Sequence, residues 1–278
     1  MLFSSQLILT CCQKVDSLPV FIESFTTMDD LLRRELRALI TQADGFDQSW
    51  SITQEHPVEE RCLMFFDMNP RSVKGLERAA QLLGMSNGVI SKWRSLLQGC
   101  DAIGLGLSKS LKSVRLYAQF WDQQVERVLS ENLDPFALYL GVKSLPDGSL
   151  RQDTYRCEPL LARTVYWPEI EKACAKFSMN ITDLETAMGA LNDENGVWTR
   201  IDNSGRDSWL LTVRKAEPEP ALVAQALSSF KGHSPGMLAF CTKAPMLHIA
   251  AGEDPVKGDF ISFYFEAEAD DIIEFLGL

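Results

Sequence analysis

No pair of cysteines in this 278-residue chain has metal-site spacing, and there is no CxxC. The seven cysteines (Cys11, Cys12, Cys62, Cys100, Cys157, Cys174 and Cys241) form an odd, scattered set inside apolar runs. They read as free buried thiols in a reducing compartment, not as a disulfide framework. The three histidines, His56, His233 and His248, lie far apart in sequence and add no ligand cluster. The start of the chain, Met1 through Cys12, lacks the basic stretch of a secretory signal. No apolar run approaches the roughly 20 residues needed to cross a bilayer. The expectation is therefore a cytoplasmic protein with no membrane partner. Positive charge is also in short supply: 27 Lys and Arg stand against 38 Asp and Glu, a net charge of −11. Such an acid excess disfavours nucleic acid and anionic surfaces. No Pro/Gly/Ser-rich linker or charge block divides the chain, so residues 1–278 read as one domain. The densest proline stretch, Glu217 to Pro220, reads as a loop leading into a helix at Ala221–Phe230.

What is present is a repeated order: a helix-like stretch, two strand-like stretches, then another helix, about five times over. The strand pairs fall at Gln48–Thr53 with Arg61–Asp67, Asp101–Ser108 with Leu111–Trp121, and Phe136–Lys143 with Leu150–Cys157. Gly196–Asp202 with Ser208–Arg214 follows, and then Met237–Thr242 or Leu247–Ala251 with Phe260–Glu266. Strands that arrive as hairpins are antiparallel, since parallel neighbours need a crossover after every strand. About ten of them can close into a barrel, which removes exposed edges and leaves room for a ligand. The helices at Asp29–Gln42, Pro70–Leu83 and Val165–Phe177 carry one apolar stripe each and read as packing elements. The expected fold is α+β: a ten-stranded antiparallel β-barrel ringed by outer helices.

Alternation along the strands then separates inside from outside. In Val114–Trp121 one face is Val114, Leu116, Ala118 and Phe120, the other Arg115, Tyr117, Gln119 and Trp121. Ala137–Lys143 sets Leu138, Leu140 and Val142 against Tyr139, Gly141 and Lys143. Arg61–Asp67 sets Cys62, Met64 and Phe66 against Arg61, Leu63, Phe65 and Asp67. Helices outside the barrel require the purely apolar faces to point outward. The mixed faces then line the lumen, where Arg, Lys and Tyr sit among aromatic walls. Basic side chains with tyrosine hydroxyls suit a diphosphate, and aromatic faces stabilise a carbocation while excluding water. Together they describe ionisation of an allylic diphosphate and capture of the cation by a nucleophile. Neither Asp29-Asp30 nor Asp270-Asp271 has DDxxD spacing, so the chemistry relies on basic side chains.

On these residues the chain resembles the ABBA-fold (PT-barrel) prenyltransferases, and among them the cyanobactin-type enzymes that modify ribosomally made peptides. Glu60-Arg61-Cys62-Leu63-Met64-Phe65-Phe66-Asp67 is similar to a family strand of Arg, a hydrophobic run and Phe-Phe-acid. Ser113-Val114-Arg115-Leu116-Tyr117 matches a family basic position, and Gly141 through Asp147-Gly148 to Tyr155 matches a family hairpin. The resemblance implies diphosphate contacts from Arg61, Arg115, Tyr155, Arg214 and Tyr264; Lys143 joins them on charge and strand parity. Phe65, Tyr117, Trp121, Tyr139 and Trp198 would wall the prenyl and acceptor pocket. The resemblance further implies a carboxylate base at Asp47, with Glu55 and Asp153 in reserve, and Mg²⁺ carried by the diphosphate. The implied activity is isoprenyl transfer from dimethylallyl or geranyl diphosphate to a side chain of a macrocyclic peptide, by a monomer. The alternatives are a small aromatic acceptor, or a non-catalytic barrel that binds an isoprenoid or lipid. A cationic acceptor would call on Asp47 together with Asp67 or Asp153.

Overall fold

The computed structural model describes residues 28–54, 58–145, 149–187, 195–203, 206–213, 227–228, 235–255 and 257–278. Ten strands form the barrel. They are β1 (Gly45–Thr53), β2 (Glu59–Asp67), β3 (Ala102–Ser108), β4 (Val114–Gln119) and β5 (Phe136–Ser144). The second half comprises β6 (Leu150–Ala162), β7 (Asn195–Asn203), β8 (Arg206–Thr212), β9 (Met246–Asp254) and β10 (Gly258–Ala267). Each strand pairs antiparallel with its sequence neighbour, and β10 pairs with β1, so the sheet closes on itself. The expected ten-stranded antiparallel barrel is the observed one. Of the two placements left open for the ninth strand, the second holds. Met237–Thr242 falls largely in a helix, Pro235–Cys241, while β9 contains Leu247–Ala251. The helix expected at Ala221–Phe230 lies outside the described residues, apart from Leu227 and Ser228.

Helices enter between hairpins: α1 (Asp30–Ile40), α2 (Pro70–Leu82), α3 (Asn87–Arg94), α4 (Trp121–Leu129), α5 (Arg163–Lys176), α6 (Ile181–Ala187), α7 (Pro235–Cys241) and α8 (Ala269–Leu276). Local chemistry sets their starts. The Asn69 side chain accepts from the Arg71 and Ser72 amides, with Pro70 filling the first helical position. The two acidic pairs that lack DDxxD spacing serve here as well: Asp29 caps α1, and Asp271 closes a capping box with Glu268 on α8.

The apolar core lies between barrel and helices, not inside the barrel. Cys62, Met64 and Phe66 of β2 are 1%, 0% and 1% exposed, and Leu105 of β3 and Leu116 of β4 are fully buried with them. Leu36, Leu39 and Ile40 of α1, Leu76 and Ala79 of α2, and Trp93 of α3 belong to the same cluster. The fully apolar strand faces point outward, which releases the mixed faces for the lumen. Because hairpin turns alternate with helical connections, all five turns lie at one end of the barrel and the helical connections at the other. Among the described residues no helix is long and apolar enough to cross a membrane.

Candidate functional site

The inward faces enclose a cavity of about 290 Å³. Strand period two decides its lining. In β1 the inward residues are Asp47, Ser49 and Ser51; across the ladder they meet Leu63, Arg61 and Glu59 of β2 in register. β4 supplies Arg115 and Tyr117, β5 Lys143, β6 Arg151 and Tyr155, β8 Arg206, and β10 Tyr264. The strand alternation thus delivers seven expected site residues to one cavity: Asp47, Arg61, Arg115, Tyr117, Lys143, Tyr155 and Tyr264. Arg214, the seventh member of the expected catalytic and diphosphate-binding set, lies outside the described residues.

Four other expectations fail or shift. Trp198 faces outward: it is 1% exposed, stacked on Tyr166 of α5 at 5.9 Å and on Trp209 at 4.7 Å. It belongs to the barrel–helix core because Trp198 pairs with the outward Leu211. Trp121 does not end a strand, since β4 stops at Gln119 and Trp121 begins α4. Its indole nitrogen donates to Gln119 Oε1 at 3.1 Å. Phe65 keeps the parity of Arg61 but pairs with Gly45 near the helical end, beyond the residues that line the cavity. Tyr139 keeps the inward parity of Lys143 but lies toward the helical end, edge-on to Tyr155 at 5.7 Å and to Trp121 at 5.6 Å, and is not among the residues that line the cavity.

The strands also bring in residues that sequence reasoning missed. Six basic side chains, Arg61, Arg115, Lys143, Arg151, Arg206 and Lys257, line the cavity against three carboxylates, Asp47, Glu59 and Asp254. Arg151 lies two and four residues before Asp153 and Tyr155, so strand parity alone would have found it. Arg206 and Lys257 sit at hairpin turns, just outside the strand limits read from the sequence. Most of these charges gather toward the turn end, whereas Asp47 lies toward the helical end.

Hydrogen bonds order this cluster. Arg115 donates to the Tyr155 hydroxyl at 2.7 Å and to the Tyr117 hydroxyl at 3.4 Å. Asp153, 1% exposed, pairs with Arg115 at 3.1 Å and with Arg151 at 3.0 Å. Held by two guanidinium groups, it is an orienting carboxylate and not the spare base expected of it. Glu55 lies outside the described residues, and Asp67 is exposed at the end of β2. Asp254 lies between Arg151 at 3.8 Å and Arg206 at 3.9 Å, and Lys257 pairs with Glu59. Arg61 makes no such pair among the described residues, and its buried Nε has no hydrogen-bond partner there. A buried donor without an acceptor costs about 1–3 kcal/mol, so an anion entering here gains that contact.

Several groups in the cavity have displaced titrations. Burial pushes Asp47 from 3.8 up to about 8, against the lowering effect of Arg61. Burial, joined by Arg115 and Lys257, pushes Lys143 from 10.5 down to about 8. Burial works to raise Glu59, but Arg61 and Lys257 prevail and hold it below its ordinary value. Such opposed displacements in one cleft mark a site suited to proton transfer beside an anion. A protein-held metal does not fit: among the described residues no group of three or more His, Cys, Asp or Glu can hold one.

No protein-family model matches the chain, and no curated protein matches it. Solved structures do share its fold. 5-Dimethylallyl tryptophan synthase from Streptomyces coelicolor, in complex with DMASPP and Trp, superposes with a TM-score of 0.56 at 12% identity, over 84% of this chain and 83% of that one. 6-Dimethylallyltryptophan synthase from Micromonospora olivasterospora, also with DMASPP and Trp, gives 0.53 at 14% identity, over 81% and 82%. PriB with product diphosphate gives 0.52 at 12% identity, over 81% and 80%. The fold is therefore the ABBA barrel of these aromatic prenyltransferases. At such identities the likeness is one of architecture.

Proposed function

We propose that the protein is a prenyltransferase that ionises an allylic diphosphate inside the barrel and delivers the isoprenyl group to an acceptor there. The observation that carries this reading is the lumen itself: six basic side chains and three tyrosines, Tyr117, Tyr155 and Tyr264, converge on one cavity. The occupants named for the structural neighbours, DMASPP, Trp and product diphosphate, support it.

Arg61, Arg115 and Lys143 hold the diphosphate, with Tyr155 and Tyr264 donating to its oxygens; Arg214 remains a proposed sixth contact. The carbon–oxygen bond breaks heterolytically and its electron pair leaves with the diphosphate, whose growing charge these groups stabilise. The allylic cation lies against the face of Tyr117, shielded from water. The acceptor attacks the cation and loses its proton to Asp47, once that carboxylate is ionised. Any Mg²⁺ would arrive on the diphosphate and offset its charge; no step here depends on it.

The acceptor is a neutral nucleophile. A lumen with six basic groups and three carboxylates repels a guanidinium, and Asp47 is largely protonated at neutral pH. Among peptide side chains this favours phenol and indole over arginine. The Trp present in the neighbours favours, as a second reading, a small aromatic acceptor. The test is incubation with dimethylallyl or geranyl diphosphate and a panel of Tyr-, Trp-, Arg-, His- and Ser-containing peptides, free tryptophan and a simple phenol, read by mass. One added isoprenyl group on an aromatic acceptor supports the reading. No mass gain on any acceptor with either donor sinks it, and gain on arginine alone sinks the neutral-acceptor part.

A further inference from the structure

Strand β3 leaves its stretch of the lumen wall bare. Its inward positions between Ala102 and Ser108 are Gly104 and Gly106, while Ile103 and Leu105 face the core at 0% exposure. On the far side of β4, the inward residue of β5 level with Tyr117 is Gly141. The Tyr117 ring uses both gaps. A β-carbon placed on Gly106 would stand 3.3 Å from Tyr117 Cε2. One placed on Gly141 would stand 3.2 Å from Cε1 and 3.4 Å from Cδ1. Opposite edges of the ring therefore rest over the strands on either side of its own. Gly106 pairs with Arg115, not with Tyr117, and the Tyr117 hydroxyl reaches Arg115 Nη1 at 3.4 Å. The ring is thus laid along β4 toward Arg115, with a face turned to the lumen. The backbone below it is fixed, because Trp93 of α3 donates its indole hydrogen to the Tyr117 carbonyl at 3.0 Å.

We propose that Gly106 and Gly141 are positioning residues, whose missing side chains let the Tyr117 ring lie flat and leave the space above it for the isoprenyl chain. The proposal rests on the prenyl-transfer reading. Neither glycine has a positive φ, so the backbone itself does not require glycine at these places. The requirement comes from the ring. A methyl group at 106 meets the ring edge and, with the backbone pinned, tilts the ring into the chain's space. Gly106 is the cleaner probe, since a side chain at 141 would also press on Arg115 Cδ at 3.3 Å.

The experiment is a double-mutant cycle of Gly106→Ala with Tyr117→Ala, read by calorimetric binding of two ligands: inorganic diphosphate, and the donor analogue dimethylallyl S-thiolodiphosphate (DMASPP). Gly106→Ala is expected to bind inorganic diphosphate as wild type does, but to bind DMASPP about 5-fold or more weakly, the low end of overpacking a filled site. Gly106→Val should weaken DMASPP further. In the Tyr117→Ala background the substitution at 106 should cost nothing. Melting temperature should hold or rise, since alanine is preferred to glycine within a strand; should Gly106→Ala not fold, Gly141→Ala enters the same cycle. Unchanged DMASPP affinity in Gly106→Ala, or an equal loss with and without the Tyr117 ring, overturns the proposal. A wild type that binds neither ligand refutes the functional reading itself.

Discussion

Asp47 offers the sharpest handle on the chemistry. Its carboxyl is 2% exposed, and burial lifts it to about 8 against the pull of Arg61. At pH 7 only about a tenth of the molecules then carry an ionised base, and at pH 6 about a hundredth. If Asp47 takes the acceptor proton, kcat/KM should climb roughly tenfold per pH unit up to about 8. Lys143 supplies the opposite limb, because it loses its charge near 8 and with it part of the hold on the diphosphate. The profile should peak close to pH 8. Asp47→Asn should lower turnover by ~10²–10⁴-fold and remove the acid limb, while Asp47→Glu should keep the limb. Stability carries a linked signature. A carboxyl whose pKa is raised on folding contributes stability that is present below its unfolded value of 3.8 and lost as pH rises through about 8. Asp47→Asn should therefore gain on wild type progressively between about pH 4 and 8 in denaturant unfolding, by at most on the order of 5 kcal/mol in all. A rate flat between pH 6 and 8, or an Asp47→Asn enzyme with normal turnover, would refute the assignment.

Arg61→Ala removes a charge-assisted contact worth roughly 1.5–3 kcal/mol, so transfer should fall at least ~10-fold, measured as kcat/KM for the donor. Trp198→Ala should behave oppositely. It should lose ~3–5 kcal/mol in denaturant unfolding, as for a large side chain deleted from a core, yet keep acceptor preference under stabilising conditions. Chelation of Mg²⁺ should raise KM for the donor without abolishing transfer, since no described carboxylate cluster holds the ion.

The barrel was legible because its hairpins recur in sequence and its strands alternate cleanly. Val114, Leu116 and Ala118 could only face helices, which sent Arg115 and Tyr117 inward. Period two fails where neither face is uniformly apolar. Trp198 stands between Val197 and Thr199, an apolar and a polar residue on the opposite face, so alternation assigns neither face, and the irregularity in the β6–β7 ladder between Glu158 and Leu161 offers no sequence cue. The Trp121 assignment missed because the chain turns into α4 after Phe120 without a side-chain cap. Arg206 and Lys257 were lost at turns, where strand pairing continues past the last apolar residue. The Arg115–Asp153 ion pair joins β4 to β6 across β5, and only the register of those two ladders brings it into reach, whereas Arg151 and Asp153 lie two apart on β6.

The most direct test is a crystal structure with DMASPP bound. The account places the diphosphate within hydrogen-bond reach of Arg61, Arg115 and Lys143, with the allylic carbon over the Tyr117 ring on the side of Asp47. Diphosphate bound outside the barrel, with Arg61 and Arg115 touching no ligand, would contradict it.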